Sequence, residues 1–179
     1  FGYDVLDADK FVHLILSPGG PGESQIFKNF GEKVRGADGH LDRRALGRLV
    51  FKDQAKLDSL EKTVHPLVRG LVAEEREKLR GLGCKAAFYD VPLLFEKKME
   101  ADFDFVIVVT APEDLRRKRL NQRSQMSDAE FLERSAHHVS PEEKEARASV
   151  VIHNWGDLRE LESATLSALK KLGLSPAPA

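Results

Sequence analysis

The 179-residue chain predicts an α/β fold built on a parallel sheet, and three observations predict it. Four short segments, "YDVLD" (3–7), "KAAFYDV" (85–91), "FDFVIVV" (103–109) and "SVVIHN" (149–154), are near-continuously apolar rather than alternating. That is the pattern of parallel strands covered on both faces. Helical patterns lie between and after them. More than seventy residues separate the first two strands, far more than a crossover needs, so residues 10–83 are expected to form an all-helical insertion.

Taken in order, "DVLDAD" delivers two aspartates from the end of the first strand into the helix "KFVHLIL". The loop "SPGGPGES" follows. It lacks Lys-Ser or Lys-Thr and its prolines remove backbone donors, so it is expected to be a surface turn and not a phosphate cradle. "SQIFKNFGEKV" reads as the next helix, and Asp42 as the N-cap of "RRALGRLVF". "QAKLDSLEKTVHPLVRGLVAEEREKLRG" is a long helix expected to break or kink near Pro66. After the third strand, 115–145 is helical, with six basic residues concentrated within 116–134. The last helix, "DLRELESATLSALKKLG", carries a Lys pair in its final turn and Gly173 where it should stop.

Composition limits the function classes. Hydrophobic residues make up 41% and charged residues 32%, with a net charge of −1 and both signs interspersed, so the chain as a whole is no polyanion binder. No apolar run reaches the roughly 18–20 residues of a membrane span, no secretion signal opens the chain, and Cys84 has no second cysteine to pair with. A cytoplasmic protein with neither membrane nor nucleic-acid partners is expected. His137 and His138 diverge on a helix and lack a third ligand at metal spacing, so no metal site is expected within the chain.

Ligands of parallel α/β sheets sit beyond the carboxyl ends of the strands. Asp7 and Asp9 fall at one such end, where two-residue spacing in extended backbone would point both carboxylates the same way. Asp9 then either orients an attacking hydroxyl or caps the following helix. Asp90 ends the second strand, Pro92 stops its ladder, and Leu93, Leu94 and Phe95 form a short apolar ledge before Glu96. Arg116, Arg117, Lys118, Arg119, Arg123 and Arg134 concentrate positive charge after the third strand. They read either as a phosphate-neutralising flap or as a solvated basic face. No aromatic residue interleaves with them as a nucleic-acid surface would require.

In combination, Asp-Ala-Asp, "DGHLDRRALGRLVF", "HPLVR", "DVPLLFE", "KRLNQR" and "N-x-G" resemble the dephospho-coenzyme A kinase family over essentially the whole chain. The resemblance implies transfer of the ATP γ-phosphate to the 3′-hydroxyl of dephospho-coenzyme A, the last step of coenzyme A synthesis, with Mg²⁺ accompanying ATP. It implies a P-loop kinase fold with an α/β core over 1–9, 84–114 and 146–179, an acceptor-binding insertion over 10–83 and a lid over 115–145. Asp9 matches the family's catalytic aspartate and Arg119 an arginine that contacts the phosphates. Arg123 and Arg134 match further lid positions, and Asn154 and Gly156 the adenine-side "N-x-G". On the acceptor side the candidates are Asp7, Arg43, His65, Arg69, Asp90, Leu93, Phe95 and Glu96. Two positions depart from the family's usual residues, His138 for Gln and Ser149 for Asp.

A P-loop kinase begins with a strand, a G-x-x-x-x-G-K-[ST] loop and a helix, and this sequence contains no such motif. That segment, with the Ser or Thr that holds Mg²⁺, is expected upstream of Phe1. The competing expectations are a non-catalytic binding module descended from such a kinase, or a P-loop kinase acting on another small acceptor.

Overall fold

The computed structural model describes residues 1–124, 127–136 and 138–175, with the backbone alone at 133 and 134. The chain divides into two compact units, Tyr3–Pro92 and Leu93–Ala179, the latter joined by Phe1–Gly2.

In the first unit, β1 (Asp4–Asp7) pairs in parallel with β2 (Ala87–Asp90), in a register that runs from Asp4 opposite Ala87 to Asp7 opposite Asp90. Between them in sequence come α1 (Ala8–Ile15), α2 (Glu23–Phe30), a 3-10 turn (Gly31–Val34), α3 (Arg43–Val50) and α4 (Gln54–Gly81). Their apolar faces meet in one core, in which Ile15, Ile26, Val34 and Val50 are essentially solvent-free. Each such side chain contributes roughly 1.5–3 kcal/mol. Asp42 caps α3 as expected, accepting from the backbone N–H groups of Arg44 and Ala45 at 2.9 and 3.0 Å. Contrary to the expected break, α4 continues through Pro66 as one 28-residue element. Proline removes one helical hydrogen bond there, but Val64, Val68 and Val72 bury a stripe on both sides of it and hold the helix to the core.

The second unit pairs β3 (Ile107–Thr110) in parallel with β4 (Val150–His153). Its helices are α5 (Glu113–Ser124), α6 (Asp128–Ser135), α7 (Pro141–Ala146) and α8 (Leu158–Lys171). Helix α8 packs Ala168 and its apolar neighbours on Val150 and Ile152. A reciprocal cap between Asp157 and Glu160 starts the helix, and Gly173, at φ 71°, ends it where the sequence predicts.

The strands thus form two separate pairs instead of one sheet. Each is four residues long, and with one ladder neighbour apiece they are not covered on both faces: Val5 is 62% and Val109 58% exposed. Among the described residues no helix is long and apolar enough to cross a membrane.

Candidate active site

At the carboxyl ends of β1 and β2 the register sets Asp7 directly opposite Asp90. Asp7 is the residue that caps α1: its carboxylate accepts from the Lys10 N–H at 3.1 Å and lies 3.5 Å from the Lys10 ammonium. These contacts, the backbone donor foremost, hold its carboxyl below the usual range. Because the cap turns the backbone into a helix at Ala8, extended geometry does not persist to Asp9. The expected parallel display of the two carboxylates is therefore replaced by a division of labour. Asp7 caps, and Asp9 stands exposed in the first helical turn.

One turn along the same face stands His13, which sequence reasoning passed over. Arg43, at the start of α3, donates from Nη1 to His13 Nδ1 at 2.6 Å. A guanidinium only donates, so Nδ1 accepts and the ring proton sits on Nε2. The signal available in the sequence was the four-residue spacing from Asp9. On α4, His65 is half-buried and Arg69 exposed, again one turn apart. The "SPGGPGES" loop consumes its own amides: Gly20 N–H donates to Ser17 O at 2.8 Å, Gly22 N–H to Ile15 O at 3.2 Å and Gly19 N–H to the Glu23 carboxylate at 3.2 Å. None of these donors is aimed outward at an anion.

In the second unit the basic cluster separates into distinct jobs. Arg117 pairs with Glu113 at 2.6 Å and Asp128 at 3.7 Å, and the guanidinium groups of Arg116 and Arg117 lie 5.7 and 5.1 Å from the Phe131 ring centroid. These two join α5 to α6. Arg119 donates to the carbonyls of Asn154 at 3.0 Å and Gly156 at 3.3 Å, tying α5 to the loop after β4. Lys118 and Arg123 are exposed. The side chain of Arg134, and His137, lie outside the described residues. Gly156 also allows a close approach: a Cβ there would collide with the Glu160 carboxylate that completes the α8 cap. Beside it, the rings of His153 and Trp155 meet at a tilt with centroids 4.5 Å apart, and Trp155 is 61% exposed.

The ledge residues divide as well. Leu93 is exposed, whereas Phe95 is buried, with Arg147 5.0 Å and Lys144 6.0 Å from its ring centroid. The Glu96 side chain is 13% exposed, and its Oε1 accepts from Lys144 Nζ at 2.8 Å and Val139 N–H at 3.0 Å and meets His138 Nδ1 at 3.2 Å. Burial pushes its carboxyl up, but Lys144 and the backbone donors outweigh it and bring the pKa down to about 2. Both departures from the expected pattern fill structural positions: His138 meets Glu96, and Ser149 Oγ accepts the Val106 N–H at 3.0 Å. Among the described residues no cluster of three His, Cys, Asp or Glu side chains is placed to hold a metal ion.

Residues 1–160 match the model of the family described as "Dephospho-CoA kinase". A dephospho-CoA kinase of Anaeromyxobacter dehalogenans is 43% identical over 155 residues, covering 87% of this chain and 74% of the relative. One from Thermus thermophilus is 40% identical over 172 residues, covering 96% and 81%. Among solved structures, TT1252 from Thermus thermophilus superposes with a TM-score of 0.78 at 40% identity, covering 96% of this chain and 85% of that one. Dephospho-CoA kinase from Campylobacter jejuni gives 0.71 at 26% identity with the same coverages.

Proposed function

The chain belongs to the dephospho-CoA kinase family, and we propose from that premise how its residues divide the work of phosphorylating the 3′-hydroxyl of dephospho-coenzyme A with ATP. The observation that carries the reading is the family match across 160 of the 179 residues, supported by relatives at about 40% identity over most of both chains.

Asp9 is the group that accepts or orients the acceptor's hydroxyl proton. Its carboxylate is exposed and relieved of capping by Asp7, which leaves it available to a hydroxyl. Arg43, His65 and Arg69 hold the acceptor's anionic groups, with Asp7 and Asp90 bordering it. We assign 10–83 as the acceptor-binding insertion, 115–145 as the lid and the remaining segments as the P-loop kinase core. Arg119, Arg123 and Arg134 belong to the phosphate side. Asn154 and Gly156 form the loop at which the base of ATP is read. Phosphoryl transfer requires little covalent help from the protein, so positioning and charge neutralisation account for most of what these residues do. We propose Mg²⁺ as the companion of the ATP phosphates. The described residues offer it no cage of three His, Cys, Asp or Glu side chains.

The test is phosphoryl transfer by the full-length protein from ATP to dephospho-coenzyme A and, in parallel, to nucleoside monophosphates. Selective formation of coenzyme A is expected. Preferential phosphorylation of a nucleotide overturns the acceptor assignment.

A further inference from the structure

Glu96 stands in the segment where the sequence expects an acceptor-side ledge, yet its contacts lead elsewhere. Three donors from the far end of the proposed lid converge on one of its oxygens: the Lys144 ammonium, the Val139 N–H and the His138 ring. Its other oxygen, Oε2, is buried without a partner among the described residues. Around this point the same short segment grips α7 a second time. Glu100 pairs with Arg147, which also takes Glu143 at 2.8 Å, and Arg147 and Lys144 lie against the Phe95 ring. Lys144 and Arg147 are three apart and so share one face of α7 and its cap. At the opposite end of the same stretch, Arg119 fastens α5 to the carbonyls of Asn154 and Gly156. Arg119 and Val139 are therefore each held through a charged side chain.

We propose that Glu96 is a positioning residue: with Lys144 it forms the fixed pivot from which the arginine-bearing helix α5 is presented to the phosphates of ATP. The proposal rests on the reading of 115–145 as the phosphate-side lid. A buried carboxylate suits a pivot because charge-assisted hydrogen bonds are short and directional, and because removing the charge strands its partners.

Glu96→Gln keeps the shape and one acceptor oxygen while removing the charge. Lys144→Met removes the matching cation and is the second variant should the first not fold. In either variant, hydrogen exchange at the Val139 amide is expected to speed up by about tenfold, the loss of one charge-assisted bond. In the full-length protein, KM for ATP is expected to rise about tenfold while KM for dephospho-coenzyme A stays at its wild-type value. A general loosening of the fold would move both constants. Unchanged Val139 exchange overturns the pivot. A rise in KM for dephospho-coenzyme A alone also overturns it and returns Glu96 to the acceptor site. Wild-type protein that does not phosphorylate dephospho-coenzyme A rejects the reading on which the proposal rests, whereas an active wild type with an unaltered Glu96→Gln rejects the pivot alone.

Discussion

Asp9→Asn isolates the carboxylate chemistry, because the cap of α1 belongs to Asp7 and survives the change. Turnover is expected to fall by roughly 10²–10⁴-fold, the usual contribution of a positioned acid or base, with ATP affinity and melting temperature near wild type. Steady-state kinetics beside a thermal melt checks this, and a large drop in melting temperature with little loss of turnover would return Asp9 to a structural role. Glu96 makes a prediction in pH. Its folded-state pKa lies below the ordinary 4.5, at about 2, so the stabilisation it provides is complete above that ordinary value and is lost as pH falls from 4.5 toward 2. Urea midpoints of wild type and Glu96→Gln should therefore differ at pH 6 and converge toward pH 3. A constant gap would mean that the carboxylate charge is not what holds Lys144, His138 and Val139. The positions of Asp9, just past a strand end, and of Arg119, on a basic helix, were legible in the sequence because each sits in a short pattern. It did not reveal His13, whose meaning depends on Arg43 thirty residues away, nor that Asp7 takes the cap, which is decided by where the backbone turns.

At the level of elements, helix α4 shows how tertiary packing overrides local propensity. Proline inside a helix costs about 3 kcal/mol, yet the buried valines on either side of Pro66 keep the element whole. Pro66→Ala restores the missing donor and is expected to stabilise the protein by about 1–3 kcal/mol, read from chemical denaturation. Destabilisation would show that the proline ring itself fills the helix surface. Helix boundaries marked by caps, at Asp42 and at Gly173, were legible, as were the centres of all four strands. The pairing of the strands into two ladders was not, because apolar runs announce burial without naming a partner. The fork of Arg119 belongs at this scale too, since it joins a helix to a loop. Lys in its place keeps the charge but offers one ammonium to two carbonyls, so Arg119→Lys should raise KM for ATP by about tenfold and loosen the loop around Gly156. Wild-type kinetics in that variant would dismiss the fork.

For the molecule as a whole, 28 basic and 29 acidic residues nearly cancel, so affinity for an anionic substrate must come from local arrangement and not from net charge. In the unit Tyr3–Pro92 the arrangement we propose for that role is Arg43 hydrogen-bonded to His13, with His65 and Arg69 one turn apart on α4. The unit has its own core of helices against β1 and β2, so acceptor binding is expected to be separable from phosphoryl transfer. Calorimetric titration with dephospho-coenzyme A should give saturable binding without ATP, and Arg43→Ala should weaken it by about tenfold, the loss of one charge-assisted contact, while ATP binding is unchanged. The family pattern across residues 1–160 names the substrate, and the titration asks whether these side chains hold it. Saturable binding that Arg43→Ala leaves intact would keep the substrate and move its site off the α1 and α3 pair. A folded protein that binds ATP but shows no heat with dephospho-coenzyme A would remove the acceptor role from this unit altogether.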